Sequence, residues 1–163
     1  MKKFLFILCA FVFFISCTSQ KMNSNYTKIE YEAGPCFGFC PIFKMTIDSE
    51  RNAVLEAERF NFTEGKSKED FSAPREGTFK TTIKKEDYDA LTALLDKLNP
   101  KSLKDYYGDK RISDMATSYL RITFSDGSKK QIQDYGKGGT PELKEVYAFF
   151  ENLKHNQDWK KVK

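Results

Sequence analysis

Ile42-Phe43-Lys44-Met45-Thr46-Ile47-Asp48-Ser49-Glu50-Arg51-Asn52-Ala53-Val54-Leu55-Glu56-Ala57-Glu58-Arg59 is the stretch on which the fold turns. Phe43, Met45 and Ile47 alternate with Lys44 and Thr46, the period of two of a half-buried strand. Asp48–Asn52 supplies turn residues, and Ala53–Arg59 reads as the returning strand of a hairpin. Toward the N-terminus, Ile29 and Tyr31 alternate with Lys28, Glu30 and Glu32, a further strand that runs into the turn-rich Gly34-Pro35-Cys36-Phe37-Gly38-Phe39-Cys40-Pro41. Toward the C-terminus, 61–76 is polar, carries Gly65 and Pro74, and reads as an exposed loop. Gly77–Ile83 returns to strand composition.

The period then changes. Tyr88, Leu91, Leu94, Leu95 and Leu98 share one helical face, acidic residues stand early in the segment, and Asn99-Pro100 ends it. A short helical turn is expected over 102–107. Leu120, Ile122 and Phe124 alternate with Tyr119, Arg121 and Thr123, Asp126-Gly127 supplies a hairpin turn, and Lys130–Tyr135 returns. After Gly136-Lys137-Gly138-Gly139, Thr140 caps a helix that Pro141 opens, with Leu143, Val146, Tyr147, Phe150 and Leu153 as its buried stripe. Strands precede a helix twice. The expectation is an α+β domain, a mainly antiparallel β-sheet with two principal helices packed against it.

The first residues belong to a different object. Lys2 and Lys3 precede thirteen uncharged residues, Phe4 to Ser16. A spanning helix needs about 20 apolar residues, whereas a signal-peptide apolar region needs ~7–15. The run ends at Phe14-Ile15-Ser16-Cys17 and turns polar at once, which resembles the lipobox of bacterial lipoproteins. That resemblance implies a signal peptide over 1–16, acylation of Cys17, a polar tether over 17–27 and a single domain over 28–160. Several acyl chains anchor a protein to a bilayer far more firmly than one. The expected address is the cell envelope, anchored by lipid to the outer membrane and facing the periplasm, since Thr18-Ser19-Gln20-Lys21 carries no acidic export signal.

Processing changes the charge. The full chain of 163 residues has 27 basic and 23 acidic residues, and removal of Lys2 and Lys3 leaves 25 against 23. Nucleic-acid binding needs a clustered basic face, so no nucleic-acid partner is expected. The single histidine excludes a two-His metal helix, and the residues ask for no cofactor.

Of four cysteines, Cys9 lies in the signal and Cys17 takes the lipid, leaving Cys36 and Cys40. An even pair in an exported domain closes a bridge. In an extended strand residues four apart are ~13 Å from each other, too far for a disulfide, so a bridge demands a tight turn, for which Gly38 is suited. Such a bridge sets local shape and either displays or tucks in Phe37 and Phe39. Two other readings stand beside it: free thiols, and copper or thiol-redox chemistry. Cys36-x-x-x-Cys40-Pro41 resembles the cysteine pair of Sco-type copper chaperones, which implies Cys36, Cys40 and His155 as copper ligands. A strand rather than a helix follows the pair, unlike in that family.

Weaker constellations complete the reading. Gly65-Lys66-Ser67 matches only the tail of a phosphate loop, with Phe60 where the first glycine belongs, and is rejected. The glycines of 136–139 could offer backbone donors to an anion at a helix N-terminus, or simply join strand to helix. Asp105, Asp109 and Asp114 either cap turns or, as a facing pair, serve a hydrolase. Trp159 reads as a C-terminal packing residue.

With Gly34-Pro35-Cys36-Phe37-Gly38-Phe39-Cys40-Pro41 entering the strand at Ile42, Ser113-Asp114 before Tyr119–Phe124, Asp126-Gly127, Pro141-Glu142-Leu143 and Trp159, the chain resembles a family of small exported bacterial lipoproteins classed as a domain of unknown function. The resemblance covers most of 28–160 and implies a Gram-negative envelope setting. It brings no activity. The function expected is a non-catalytic periplasmic binding or assembly module whose partners are the lipid bilayer, through acylation, and an envelope protein. The alternative is the copper or redox role of the cysteine pair.

Overall fold

A computed structural model of the protein describes residues 24–62 and 67–163. The signal peptide, Cys17, the tether up to residue 23, and Gly65-Lys66 lie outside the described residues. The strands are β1 (Tyr26–Ala33), β2 (Ile42–Asp48), β3 (Asn52–Arg59), β4 (Gly77–Thr82), β5 (Tyr106–Tyr107), β6 (Thr117–Phe124), β7 (Lys129–Tyr135) and β8 (Lys160–Lys161), and the helices are α1 (Lys85–Leu98) and α2 (Pro141–Asn156). They form an α+β fold with one sheet of eight strands in the order β5-β7-β6-β1-β2-β3-β4-β8. Every neighbouring pair is antiparallel except β5 and β7.

Register follows the alternation. One inward row reads Phe79, Leu55, Met45, Tyr31, Leu120 and Ile132 across six strands. The outward row beside it reads Lys80, Val54, Thr46, Glu30, Arg121 and Gln131. A slip of one residue would exchange these rows, so burial of one face specifies the pairing. Both helices cover the inward face. α1 buries Tyr88, Leu91, Leu95 and Leu98, and α2 buries Leu143, Val146, Tyr147, Phe150 and Leu153. Fully burying such a side chain stabilises the fold by about 1.5–3 kcal/mol.

The helix ends follow local chemistry. Asn99 takes a left-handed conformation (φ 49°) and closes α1, and the Thr140 hydroxyl accepts a hydrogen bond from the Leu143 amide at 3.3 Å with Pro141 at the first position of α2. α1 carries the chain from β4 toward the opposite edge. α2 carries it back, so β8 pairs with β4.

Two local expectations are corrected. The helical turn expected over 102–107 is instead a 3-10 turn at Pro100–Ser102, where Pro100 fixes the backbone directly after Asn99, and Tyr106–Tyr107 pairs with β7 as a strand. The segment after β3 is not wholly exposed: Phe60 and Asn61 are buried, and Lys68–Ser72 forms a 3-10 turn. Among the described residues no helix is long and apolar enough to cross a membrane.

Candidate functional site: the loop end of the sheet

β1, β3, β5 and β7 run toward one end of the sheet, and β2, β4 and β6 start from it. Four connections therefore meet there: 34–41, 60–76, 108–116 and 136–140. The described chain begins at the other end. Ser24 accepts hydrogen bonds from the Tyr26 amide and the Tyr88 hydroxyl, and Asn25 pairs with Ser125 beside the Asp126-Gly127 turn.

Cys36 and Cys40 are joined as a disulfide with their Cα atoms 5.8 Å apart. Gly38 between them has φ 143°, a conformation that side chains rarely adopt. The bridge splits the loop's two phenylalanines. Phe37 is 88% exposed, and its amide donates to the Asp114 carbonyl at 3.1 Å. Phe39 packs against Phe60 at 5.4 Å and Phe71 at 5.3 Å between ring centroids. The loop carrying Asp114 is itself held by Tyr135, whose hydroxyl donates to the Ile112 carbonyl and accepts from the Met115 amide. Six of the seven large apolar side chains exposed among the described residues stand on these connections: Phe37, Phe39, Phe62, Phe71, Ile112 and Met115. Scattered exposed apolar residues are ordinary; here six of them share one end of the sheet.

Beneath the loops lies a buried polar network. The Asn61 side-chain amide donates to the carbonyls of Ile42 and Arg59, both at 2.9 Å, and its backbone amide donates to the Glu76 carboxylate. Its Oδ1 accepts from Lys154 Nζ, which also pairs with Glu151 at 2.7 Å and lies 4.1 Å from the centre of the Phe43 ring. Burial pushes the Lys154 pKa down and Glu151 opposes the shift. Phe43 in turn packs edge-on against Tyr31, which stacks with Tyr147 and Phe150. Burial, then the neighbouring Asp134 carboxylate, raises the Tyr147 pKa.

Asp134 decides the fate of the glycine connection. Its carboxylate is fully buried, and Oδ2 accepts the Gly139 amide at 3.1 Å. The chain thus places its own carboxylate at the start of α2, on the donor that an external anion would have used. Gly139 must lack a side chain, since a Cβ there would stand 2.7 Å from Oδ2.

The remaining candidates are dispersed. Asp105 pairs with Lys130, Asp109 with Arg111, and Asp114 accepts from the Ser113 hydroxyl. None of these three lines either of the two cavities described below. His155 is exposed near the end of α2 with its ring 6.2 Å from that of Phe62. In this bridged form the sulfurs of Cys36 and Cys40 are bonded to each other and present no thiolate to a metal. Among the described residues, no three His, Cys, Asp or Glu side chains gather in a metal-binding group. Trp159 is half-buried and donates to the Leu153 carbonyl.

The sheet's other face is open. There Glu30 is nearly buried among Arg121 at 3.0 Å and Lys28 and Lys44, each at 3.4 Å, while Arg121 also reaches Glu32 at 2.7 Å. Burial raises the Glu30 pKa, but Lys44, Lys28 and Arg121 outweigh it and hold the group below its ordinary 4.5. A bowl of about 690 Å³ opens on this face near the loop end, edged by acidic Glu32, Glu56 and Glu58 and basic Lys44, Arg75 and Lys161. A smaller hollow of about 260 Å³ lies at the opposite end, between Asp96, Phe124 and Asp126. In it Lys101 is already paired with Asp126 and seated over the Phe124 ring.

Reading the sequence for function overlooked Asn61, Asp134 and Lys154. Two carried a signal. Asp134 stands two residues after Ile132, on the inward face of β7. Lys154 stands four after Phe150 and seven after Tyr147, on the apolar stripe of α2. Asn61 carried none, because apart from the Arg59 carbonyl its partners Ile42, Glu76 and Lys154 are 15 or more residues away.

No curated protein matches the chain. A family model does match, over residues 27–154, from the second residue of β1 to the last turns of α2. The chain belongs to this family, DUF6438, a domain of unknown function.

Proposed function

We propose that the protein is a lipid-anchored lipoprotein of the bacterial envelope, held to the outer membrane through acylated Cys17 with its domain on the periplasmic side. It works as a non-catalytic binding or assembly module that docks an envelope protein on its loop end. The observation that carries this reading is the gathering of Phe37, Phe39, Phe62, Phe71, Ile112 and Met115 at one end of the sheet. The tether enters at the other end, beside Ser24. An eight-residue strand rises about 26 Å, so an anchored domain can hold its apolar end clear of the bilayer. Buried aromatic anchors supply most of the binding energy in interfaces of this kind.

The test joins two measurements. Cys17→Ala moves the protein from the membrane to the soluble fraction. A photo-reactive phenylalanine placed at position 37 gives a discrete protein adduct in irradiated cells, while the same residue at position 129, at the other end, gives none. Continued membrane fractionation of Cys17→Ala refutes the anchor. Absence of an adduct from position 37, or equal adducts from both positions, refutes the docking face.

A further inference from the structure

The two halves of the 34–41 connection are held very differently. On the Phe39 side, the ring contacts to Phe60 and Phe71 lead directly to Asn61, whose side chain makes three hydrogen bonds, the last to Lys154 on α2. On the Phe37 side, the ring makes no aromatic contact among the described residues. Among the described residues, the backbone of this half is tied to the rest of the fold by the Gly34 amide, which donates to the Thr117 carbonyl directly after β1, and at Phe37 itself by the amide bond to Asp114. The disulfide joins the lightly held Phe37 side to the docked Phe39 side across three residues, with Gly38 supplying the backbone conformation the closure needs. Both cysteines are only half-buried, on a connection at the surface of the loop end.

We infer that the Cys36–Cys40 bridge is a redox-operated clamp on the docking face: joined, it presents Phe37 beside Ile112 and Met115; opened, it releases Phe37 while the Phe39 side stays in place. This rests on the loop end being the docking face. The opening step is a thiol–disulfide exchange with a dithiol reductant. One thiolate of the reductant attacks a sulfur of the bridge and forms a mixed disulfide, and its second thiol displaces that bond. Two electrons and two protons pass to the protein, leaving Cys36 and Cys40 as thiols and the reductant as a disulfide. Release removes the preorganisation that an exposed aromatic anchor needs to bind without a large ordering cost. The Asp114 amide bond alone cannot supply it, since a single exposed hydrogen bond adds little net stability over its exchange with water.

The test uses the full-length protein in detergent, with and without dithiothreitol, followed by amide hydrogen exchange and by photo-crosslinking in cells. Reduction is expected to speed exchange at the Phe37 amide at least tenfold, and to leave the amide of Asn61 and those of α2 unchanged. Cys36→Ser/Cys40→Ser should reproduce this without reductant and lower the adduct yield from position 37 at least fivefold. Exchange at Phe37 that ignores reduction overturns the clamp, as does an equal acceleration at Asn61 and along α2, which would be general loosening. An adduct yield that is the same with and without the bridge overturns it too. If the bridged protein gives no adduct at all, the docking face fails, and the exchange pattern still judges the clamp separately.

Discussion

Oδ1 of Asn61 accepts a hydrogen bond from Nζ of Lys154 at 3.2 Å, joining residues 93 apart in sequence. This contact, with the Glu151 pair, holds a lysine that is only 3% exposed. Lys154→Met would leave the Asn61 oxygen buried and unpaired, at a cost of about 1–3 kcal/mol, and urea unfolding at neutral pH should show a loss of that size. The pH dependence has a definite sign. Because burial holds the Lys154 pKa below its ordinary 10.5 in the folded chain, the unfolded chain binds this proton more tightly. Stability from this site therefore rises as pH climbs through the interval below 10.5. Lys154→Met should lack that rise.

Glu30 behaves in the opposite sense. Its folded pKa is lowered by Lys44, Lys28 and Arg121 against the push of burial, so its contribution is fully present above 4.5 and is lost as pH falls through the folded value. Glu30→Gln is expected to cost about 1.5–3 kcal/mol at pH 7, the worth of hydrogen bonds to a charged group. Part of the acid sensitivity below pH 4.5 should disappear with it. Unfolding midpoints measured from pH 2 to 7 check both statements.

Gly139→Ala should destabilise the fold by about 1–3 kcal/mol through overpacking. The new Cβ would meet Asp134 Oδ2 at 2.7 Å and Leu143 Cδ1 at 2.8 Å, disturbing the hydrogen bond that the buried carboxylate accepts from the Gly139 amide. Gly138→Ala, whose Cβ approaches nothing closer than 3.4 Å, should cost less. Thermal unfolding of the two variants side by side decides it.

Cys36→Ser/Cys40→Ser is expected to lower stability by only about 2 kcal/mol, since closing so short a loop removes little entropy from the unfolded chain. Neither cysteine belongs to the buried core. The variant should remain folded, with near-native circular dichroism and a modestly reduced urea midpoint. A collapse of the whole fold would contradict this.

Much of the architecture is legible in the alternation of side chains. The hairpins 42–59 and 119–135, the stripe of α1 and the stripe of α2 all stand where periodicity puts them, because each buries one face against the same layer. The two-residue strands β5 and β8 are too short to have a period, and they exist only because a neighbour is there to pair with them. The candidate site was legible in part. The Gly34–Pro41 connection announces a tight turn, and its cysteines suggest a bridge. Which phenylalanine would project depends on Phe60, Phe71 and Asp114, none of which is local. Lys154 shows the same limit from the other side, where a charged residue on an apolar stripe signals burial without naming its partner.

The two-residue strands have a further consequence. An open eight-stranded sheet offers two rows of backbone groups to any strand of a neighbouring molecule. Here β5 occupies part of one row beside β7, and β8 occupies part of the other beside β4, with Lys160 and Lys161 on it. Each is too brief to serve as a template, and the lysines repel a like edge. Molecules crowded shoulder to shoulder would thus stay separate units instead of growing into a continuous ribbon, leaving the loops as the end that meets its surroundings.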